Sequence, residues 1–198
     1  MKIIVVGATG IIGSAAVNAL KAKGHEVLEA SRNGALKVDI TDPGSIRAMY
    51  QSSGRIDAVV SCAGDAAFKP LSQLTDEDFE FSLHNKLMGQ VNLVRFGADY
   101  VNDEGAFVLT SGIFSRNPMP GVPAIAIANG AIESFARAAA LDVPRGIRVN
   151  AVSPPFITET AQKMGMPTDG TLAAADAART YDALVEGSDT GKVVFPGD

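Results

Sequence analysis

Short continuous apolar runs alternate along this chain with longer stretches of helical spacing. The first run, Lys2-Ile3-Ile4-Val5-Val6, has the β-branched composition of a strand buried on both faces. Gly7-Ala8-Thr9-Gly10-Ile11-Ile12-Gly13 reads as a turn. Residues 14–23 then read as a helix with Ala15, Ala16, Ala19, Leu20 and Ala22 on its apolar side, ended by Gly24. Glu26-Val27-Leu28-Glu29-Ala30 supplies a second strand, which completes a β-turn-α-β unit within about thirty residues. The pattern predicts further strands at 35–38, 56–61, 105–110, 146–153 and 192–195, and helices at 43–51, 75–101, 121–141 and 172–185. Thr41 or Asp42 caps the first of these helices, with Pro43 in its first turn, and Thr75-Asp76-Glu77-Asp78 is a capping signature for the second. Strands alternating with helices of this length predict an α/β fold. Its sheet is parallel and doubly wound, in three α/β/α layers, with residues 1–198 as a single domain.

In such a sheet, ligands bind beyond the carboxyl ends of the strands, where the strand order reverses. Backbone N–H groups at a helix N-terminus attract phosphate, and glycines let a pyrophosphate come close. Gly7, Gly10 and Gly13, with Thr9, Ile11 and Ile12 between them, sit after a buried strand and before a helix, so they predict a dinucleotide cradle. The competing reading is a tight turn that holds nothing. The second strand ends in Ala30-Ser31-Arg32-Asn33. A carboxylate there would bind the ribose 2′-OH of NAD. The hydroxyl and guanidinium of Ser31 and Arg32 suit a 2′-phosphate instead, which favours NADP over NAD. The plainer alternative is a solvated Arg32, or one stacked over adenine.

Composition narrows the field further. The chain has 198 residues, 46% hydrophobic and 20% charged, which is one domain's worth and excludes wholesale disorder. Seventeen Lys and Arg against 22 Asp and Glu give a net charge of −5, a poor match for nucleic acid or an anionic membrane. The single cysteine, Cys62, cannot form an internal disulfide. Two histidines, His25 and His84, leave no His-rich or Cys/His metal site, so no metal is expected. The apolar start is too short for a signal peptide, and no stretch reaches the roughly 18 apolar residues of a spanning helix, so a cytoplasmic location is expected.

The sequence resembles the short-chain dehydrogenase/reductase family, whose fold is Rossmann-type. The resemblance lies in the glycine turn, in Val38-Asp39-Ile40-Thr41-Asp42, in Ser61-Cys62-Ala63-Gly64, in Asn85 and in Leu109-Thr110-Ser111. Its most specific part is Arg145-Gly146-Ile147-Arg148-Val149-Asn150-Ala151-Val152-Ser153-Pro154, and Thr190-Gly191-Lys192-Val193-Val194 resembles the family's last strand. The resemblance implies that Asp39, with Ile40, contacts adenine, that Ala63 and Gly64 lie beneath the cofactor, and that Pro154 touches the nicotinamide. It also implies that Asn85 and Ser111 are the first two of four catalytic residues. The helices at 75–101 and 121–141 resemble the pair through which the family forms dimers, so the resemblance implies a homodimer or homotetramer. Their small apolar residues would allow close helix packing, and the plainer alternative is packing on the sheet.

The resemblance breaks at the other two catalytic positions. Where the family has a Tyr that exchanges the proton and a Lys that holds the ribose, this chain has Ile125 and Asn129. Ile125 cannot transfer a proton. Asn129 can hydrogen-bond a ribose but carries no charge. The expected function is therefore an NADP(H)-binding oxidoreductase that acts on a small carbonyl or alcohol with non-standard acid/base residues. Its rivals are an inactive dinucleotide-binding regulator and a non-redox lyase or isomerase on the same scaffold. Residues 154–190 look like a reduced substrate-loop region. Lys86 adjoins Asn85 but faces another direction along a helix, and Glu133 reads as part of a solvated helix face. Cys62 reads as a small buried filler.

Overall fold

The computed structural model describes residues 1–197. Seven parallel strands form one sheet: β1 (Lys2–Val6), β2 (Glu26–Ser31), β3 (Leu36–Lys37), β4 (Ile56–Ser61), β5 (Val101–Thr110), β6 (Arg148–Val152) and β7 (Val193–Val194). Their order is β3-β2-β1-β4-β5-β6-β7, so the chain winds outward in both directions from a crevice between β1 and β4. The helices are α1 (Ile11–Ala22), α2 (Pro43–Ser53), α3 (Asp76–Ser82), α4 (Gly89–Gly97), α5 (Pro123–Asp142), α6 (Thr158–Lys163) and α7 (Ala174–Glu186).

Successive strand side chains point to opposite faces, and here both faces are covered. Ile3, Val5, Ala58, Val60, Ala106 and Val108 meet Ala16, Val17 and Leu20 of α1 and Tyr181, Leu184 and Val185 of α7. Ile4, Val6, Val59, Phe107, Leu109 and Val149 meet residues of α2, α4 and α5, among them Met49, Leu93 and Ile132. The unbroken apolar run of β1 follows from this double burial.

The stretch predicted as one helix over 75–101 consists of three pieces. After α3, which opens on a Thr75–Asp78 capping box, a wide π-helical turn runs over Leu83–Met88 before α4 resumes α-helical spacing. The helix ends at Gly97, where a Cβ would overlap the Tyr50 hydroxyl, and Val101 already pairs with Ile56. Strand β5 therefore starts earlier than predicted. It bulges over 102–105 opposite Asp57, whose carboxylate accepts from the Lys2 N–H at 2.6 Å and from Asn102 Nδ2 at 2.7 Å.

Helix α5, with 20 residues and a mean hydropathy of 1.2, is long and apolar enough by composition to cross a membrane. In this fold its inner stripe of Ala124, Ala128, Ile132, Ala136 and Ala139 is buried in the core. Within the expected loop region, residues 157–172 fold back on themselves through α6 and a bridge between Ile157 and Leu172. The rest of that region is mostly α7, a core helix packed on α1.

Candidate functional site

The carboxyl edge of the sheet carries two groups of functional side chains. The first surrounds the glycine turn. Gly7 adopts φ 80°, and a Cβ there would lie 2.9 Å from the Ala63 nitrogen, so the turn is pressed against the loop after β4. A Cβ at Gly13 would overlap the Gly7 carbonyl oxygen, so α1 begins in direct backbone contact with the turn. Gly10 is the N-cap of α1 and supplies no side-chain cap. The first-turn N–H groups, those of Ile11, Ile12 and Gly13, lie where an anion would be received.

Beside this turn, Thr9, Ser31, Gly34, Leu28 and Leu36 help line a cavity of about 440 Å³. Ser31 is buried, and its Oγ has no hydrogen-bond partner. Arg32, next to it, is exposed. Asp39 Oδ1 accepts from the Thr41 N–H at 3.0 Å and from its hydroxyl at 2.7 Å, and these bonds hold the carboxyl below its ordinary pKa. The Ile40 side chain turns inward and packs against Gly89 of α4, so it is a core residue.

The second group lies at the ends of β4, β5 and β6. Ser111 is buried, and its hydroxyl donates to Glu133 Oε1 at 2.9 Å. Ser115 donates to the same oxygen at 2.6 Å and Ser153 at 3.0 Å. Glu133 is only 7% exposed, so the expectation of a solvated helix face fails: Glu133 is the buried acceptor for three hydroxyls. Two of these hydroxyls have a second acceptor within reach, the Val152 carbonyl at 3.4 Å from Ser111 Oγ and the Gly112 carbonyl at 3.1 Å from Ser115 Oγ. Towards a ligand, the Ser111 hydroxyl can act as donor or acceptor.

The buried cation of this region is Lys86, not a residue at position 129. It stands on the π-helical turn, is 9% exposed, and approaches the Ser111 carbonyl oxygen with Nζ at 3.3 Å. Burial pushes its ammonium down from 10.5 to about 8, against the opposing field of Asp65. Asn85 points elsewhere: its Oδ1 accepts from the Asp65 N–H at 2.9 Å. Asn129 is 1% exposed. Its Nδ2 donates to the Gly112 carbonyl at 3.2 Å, while its Oδ1 is buried without a partner. Gln90, one turn after Lys86, exchanges two 2.8 Å bonds with the backbone of Thr110 and so fixes the end of β5. Pro154 is buried, and its carbonyl accepts from the Ile113 N–H at 2.9 Å. The rings of Phe68, Phe114 and Phe156 form an apolar row with centroids 6.5 and 6.1 Å apart.

None of the three tyrosines reaches Ser111. Tyr181 lies under the opposite sheet face, its hydroxyl 2.8 Å from Thr110 Oγ1, and burial raises its pKa well above the ordinary value. Tyr50 donates to the Leu93 carbonyl at 2.7 Å, and Tyr100 stacks on Tyr50. Burial also pushes the Cys62 thiol up to about 12, so it is a poor nucleophile near neutral pH. His84 Nε2 donates to the Thr41 carbonyl at 2.9 Å and does not face Ser111.

A parallel sheet with a glycine cradle at the end of its first strand, opening on a crevice where strand order reverses, defines a dinucleotide-binding fold. The chain belongs to the short-chain dehydrogenase/reductase family: residues 7–195 match the family model described as enoyl-(acyl carrier protein) reductase. It is 33% identical to hydroxynaphthalene reductase arp2 of Aspergillus fumigatus over 143 residues, which cover 70% of this chain and 50% of the fungal protein. The chain thus spans about half the length of the fungal reductases it matches. Its fold is similar to that of the protein lin1944 from Listeria innocua, with 42% identity, a TM-score of 0.94 and 98% of both chains covered. A small-chain dehydrogenase solved in complex with NADPH is 27% identical, with a TM-score of 0.88 over 98% of this chain and 95% of that one.

Proposed function

We propose that this protein binds NADP(H) and interconverts a small alcohol and its carbonyl compound, as an oxidoreductase of this family. The observation that carries the cofactor reading is the end of β2. There the Ser31 hydroxyl is buried without a partner and Arg32 stands free of the core beside the glycine turn. A 2′-phosphate would satisfy both. The N-terminus of α1 would hold the pyrophosphate, Asp39 would border the adenine, and Ala63, Gly64 and Pro154 would line the nicotinamide half. The bound nicotinamide would supply the hydride chemistry.

The chain's own residues would hold the substrate. Ser111 Oγ would hydrogen-bond the substrate oxygen, accepting from the alcohol or donating to the carbonyl compound, with the Glu133 carboxyl group holding the serine in place behind it. The three phenylalanine rings favour a substrate with an apolar body. Exposed Phe81 on α3 and Ile127 on α5 support assembly of two or four copies through these helices.

Fluorescence titration with NADPH and NADH tests the cofactor assignment. NADPH is expected to bind at least about tenfold more tightly, and Arg32→Ala to remove most of that preference. Binding of neither dinucleotide below about millimolar concentration would refute the reading.

A further inference from the structure

Lys86 is a charged group, more than nine-tenths buried, with one long hydrogen bond to a backbone carbonyl. An ammonium has three N–H donors, and a buried donor left without an acceptor is costly. Among the described residues, no second acceptor bonds its Nζ. Its position is set closely: a Cβ at Gly64 would lie 3.0 Å from Lys86 Cα, so the loop after β4 rests directly on this side chain. On the neighbouring carbonyl, that of Gly112, sits Asn129, whose buried Oδ1 is the converse case of an acceptor with no donor. Spare donors and a spare acceptor thus stand on successive carbonyls just past the end of β5.

We infer that Lys86 and Asn129 together hold a sugar hydroxyl pair, with Lys86 donating to it and Asn129 Oδ1 accepting from it. A hydroxyl group both accepts and donates, so it satisfies the two side chains at once, as a carboxylate or a bare carbonyl would not. The inference rests on the dinucleotide reading, in which the hydroxyl pair belongs to the nicotinamide-side ribose. A dinucleotide held at the β1 turn crosses the crevice, which brings its second ribose to the β4–β5 side. The charged groups around Lys86 leave it available. Asp65, on the adjoining loop, favours its protonated form, Glu133 on α5 is engaged by three serines, and His84 on the same turn is bonded to Thr41.

The test compares two probes on wild-type protein and Lys86→Met. NADPH reaches both halves of the site, whereas adenosine 2′,5′-bisphosphate fills only the adenine half. Lys86→Met is expected to weaken NADPH at least about tenfold and to leave the bisphosphate within about twofold. Wild-type NADPH affinity should fall as the ammonium loses its proton, between about pH 7 and about pH 9.5, and the variant should show no such fall. Adding Asn129→Lys to Lys86→Met, which returns a cation to the same carbonyl pair, should recover most of the NADPH affinity. Unchanged NADPH binding in Lys86→Met overturns the assignment, and so does a parallel loss of both probes. Failure of the wild type to bind either probe instead refutes the dinucleotide reading itself, and this inference with it.

Discussion

The two halves of the sheet's carboxyl edge are built from opposite materials. Around β1 and α1 the fit is made by backbone: Gly7 pressed on the Ala63 loop, Gly13 against the Gly7 carbonyl, and a helix start with no side-chain cap. Around β5 and α5 it is made by charge. Lys86 and Glu133 are both buried, and they are bonded to a carbonyl and to hydroxyls rather than to each other. A backbone cradle costs little to keep and suits any phosphate. Two separately buried charges are expensive, and such local expense is typical of functional positions. The chemistry particular to this protein is therefore to be sought at the second half.

The largest effect should come from breaking the backbone fit. In Gly13→Val, the new side chain would have to displace the Gly7 carbonyl, which is backbone and cannot swing away. A loss of about 4 kcal/mol or more in urea unfolding is expected, together with loss of NADPH binding. A Cβ at Gly10 would stand 3.3 Å from the same oxygen, so Gly10→Ala should keep most of the stability. Equal losses for the two variants would show that the close contact at Gly13 is not what shapes the turn.

The charged half responds to a different change. Glu133→Leu would leave the buried hydroxyls of Ser111 and Ser153 and the half-buried one of Ser115 without their common acceptor. A loss of about 3 kcal/mol is expected. Glu133→Gln keeps one accepting oxygen and should lose about half as much. A neutral outcome for Glu133→Leu would mean that the Val152 and Gly112 carbonyls, already within reach of Ser111 and Ser115, replace the carboxyl group in full.

The same contrast explains what was legible in the sequence. A backbone cradle needs glycine at fixed places, so Gly7, Gly10 and Gly13 announce it directly. The winding of the sheet was readable from the apolar runs because the central strands are covered on both faces. The charged half was not readable in that way, because a side chain on a helix is legible only if its facing is known. The π-helical turn at Leu83–Met88 is wider than an α-helical turn and changes which residues face the sheet. Asn85 then lies against the Asp65 loop, and Lys86 lies under Ser111. A signal was present all the same: Lys86 stands one turn before Gln90 and seven residues before Leu93, both fully buried. Glu133 likewise follows Ile125 and Asn129 at four-residue steps, a spacing that puts it on their stripe of α5. The boundary near residue 100 was lost for a related reason: helical and strand apolar patterns run together through Val94, Phe96 and Val101.

The last expected effect, smaller than the losses at Gly13→Val and Glu133→Leu, has the opposite sign and separates use from stability. Lys86 is held at about 8, below the ordinary 10.5, because burial disfavours its charge. In the unfolded chain the lysine keeps its ordinary affinity for protons, so the folded state bears a penalty that is fully present below about pH 8. That penalty is worth about 3 kcal/mol by linkage. Replacing the lysine also forgoes its bond to the Ser111 carbonyl, worth about 1 kcal/mol. Lys86→Met fills the same space without charge and should be about 2 kcal/mol more stable than wild type at pH 7. Between about pH 8 and pH 10.5 the unfolded state binds the extra proton, so wild-type stability should rise relative to the variant and the gap should close. Urea unfolding of both proteins across that range measures it. A variant that is less stable than wild type at pH 7 would make Lys86 a structural group. A variant that is more stable but binds NADPH poorly would show that the fold accepts an unfavourable charge at this position because the ligand needs it.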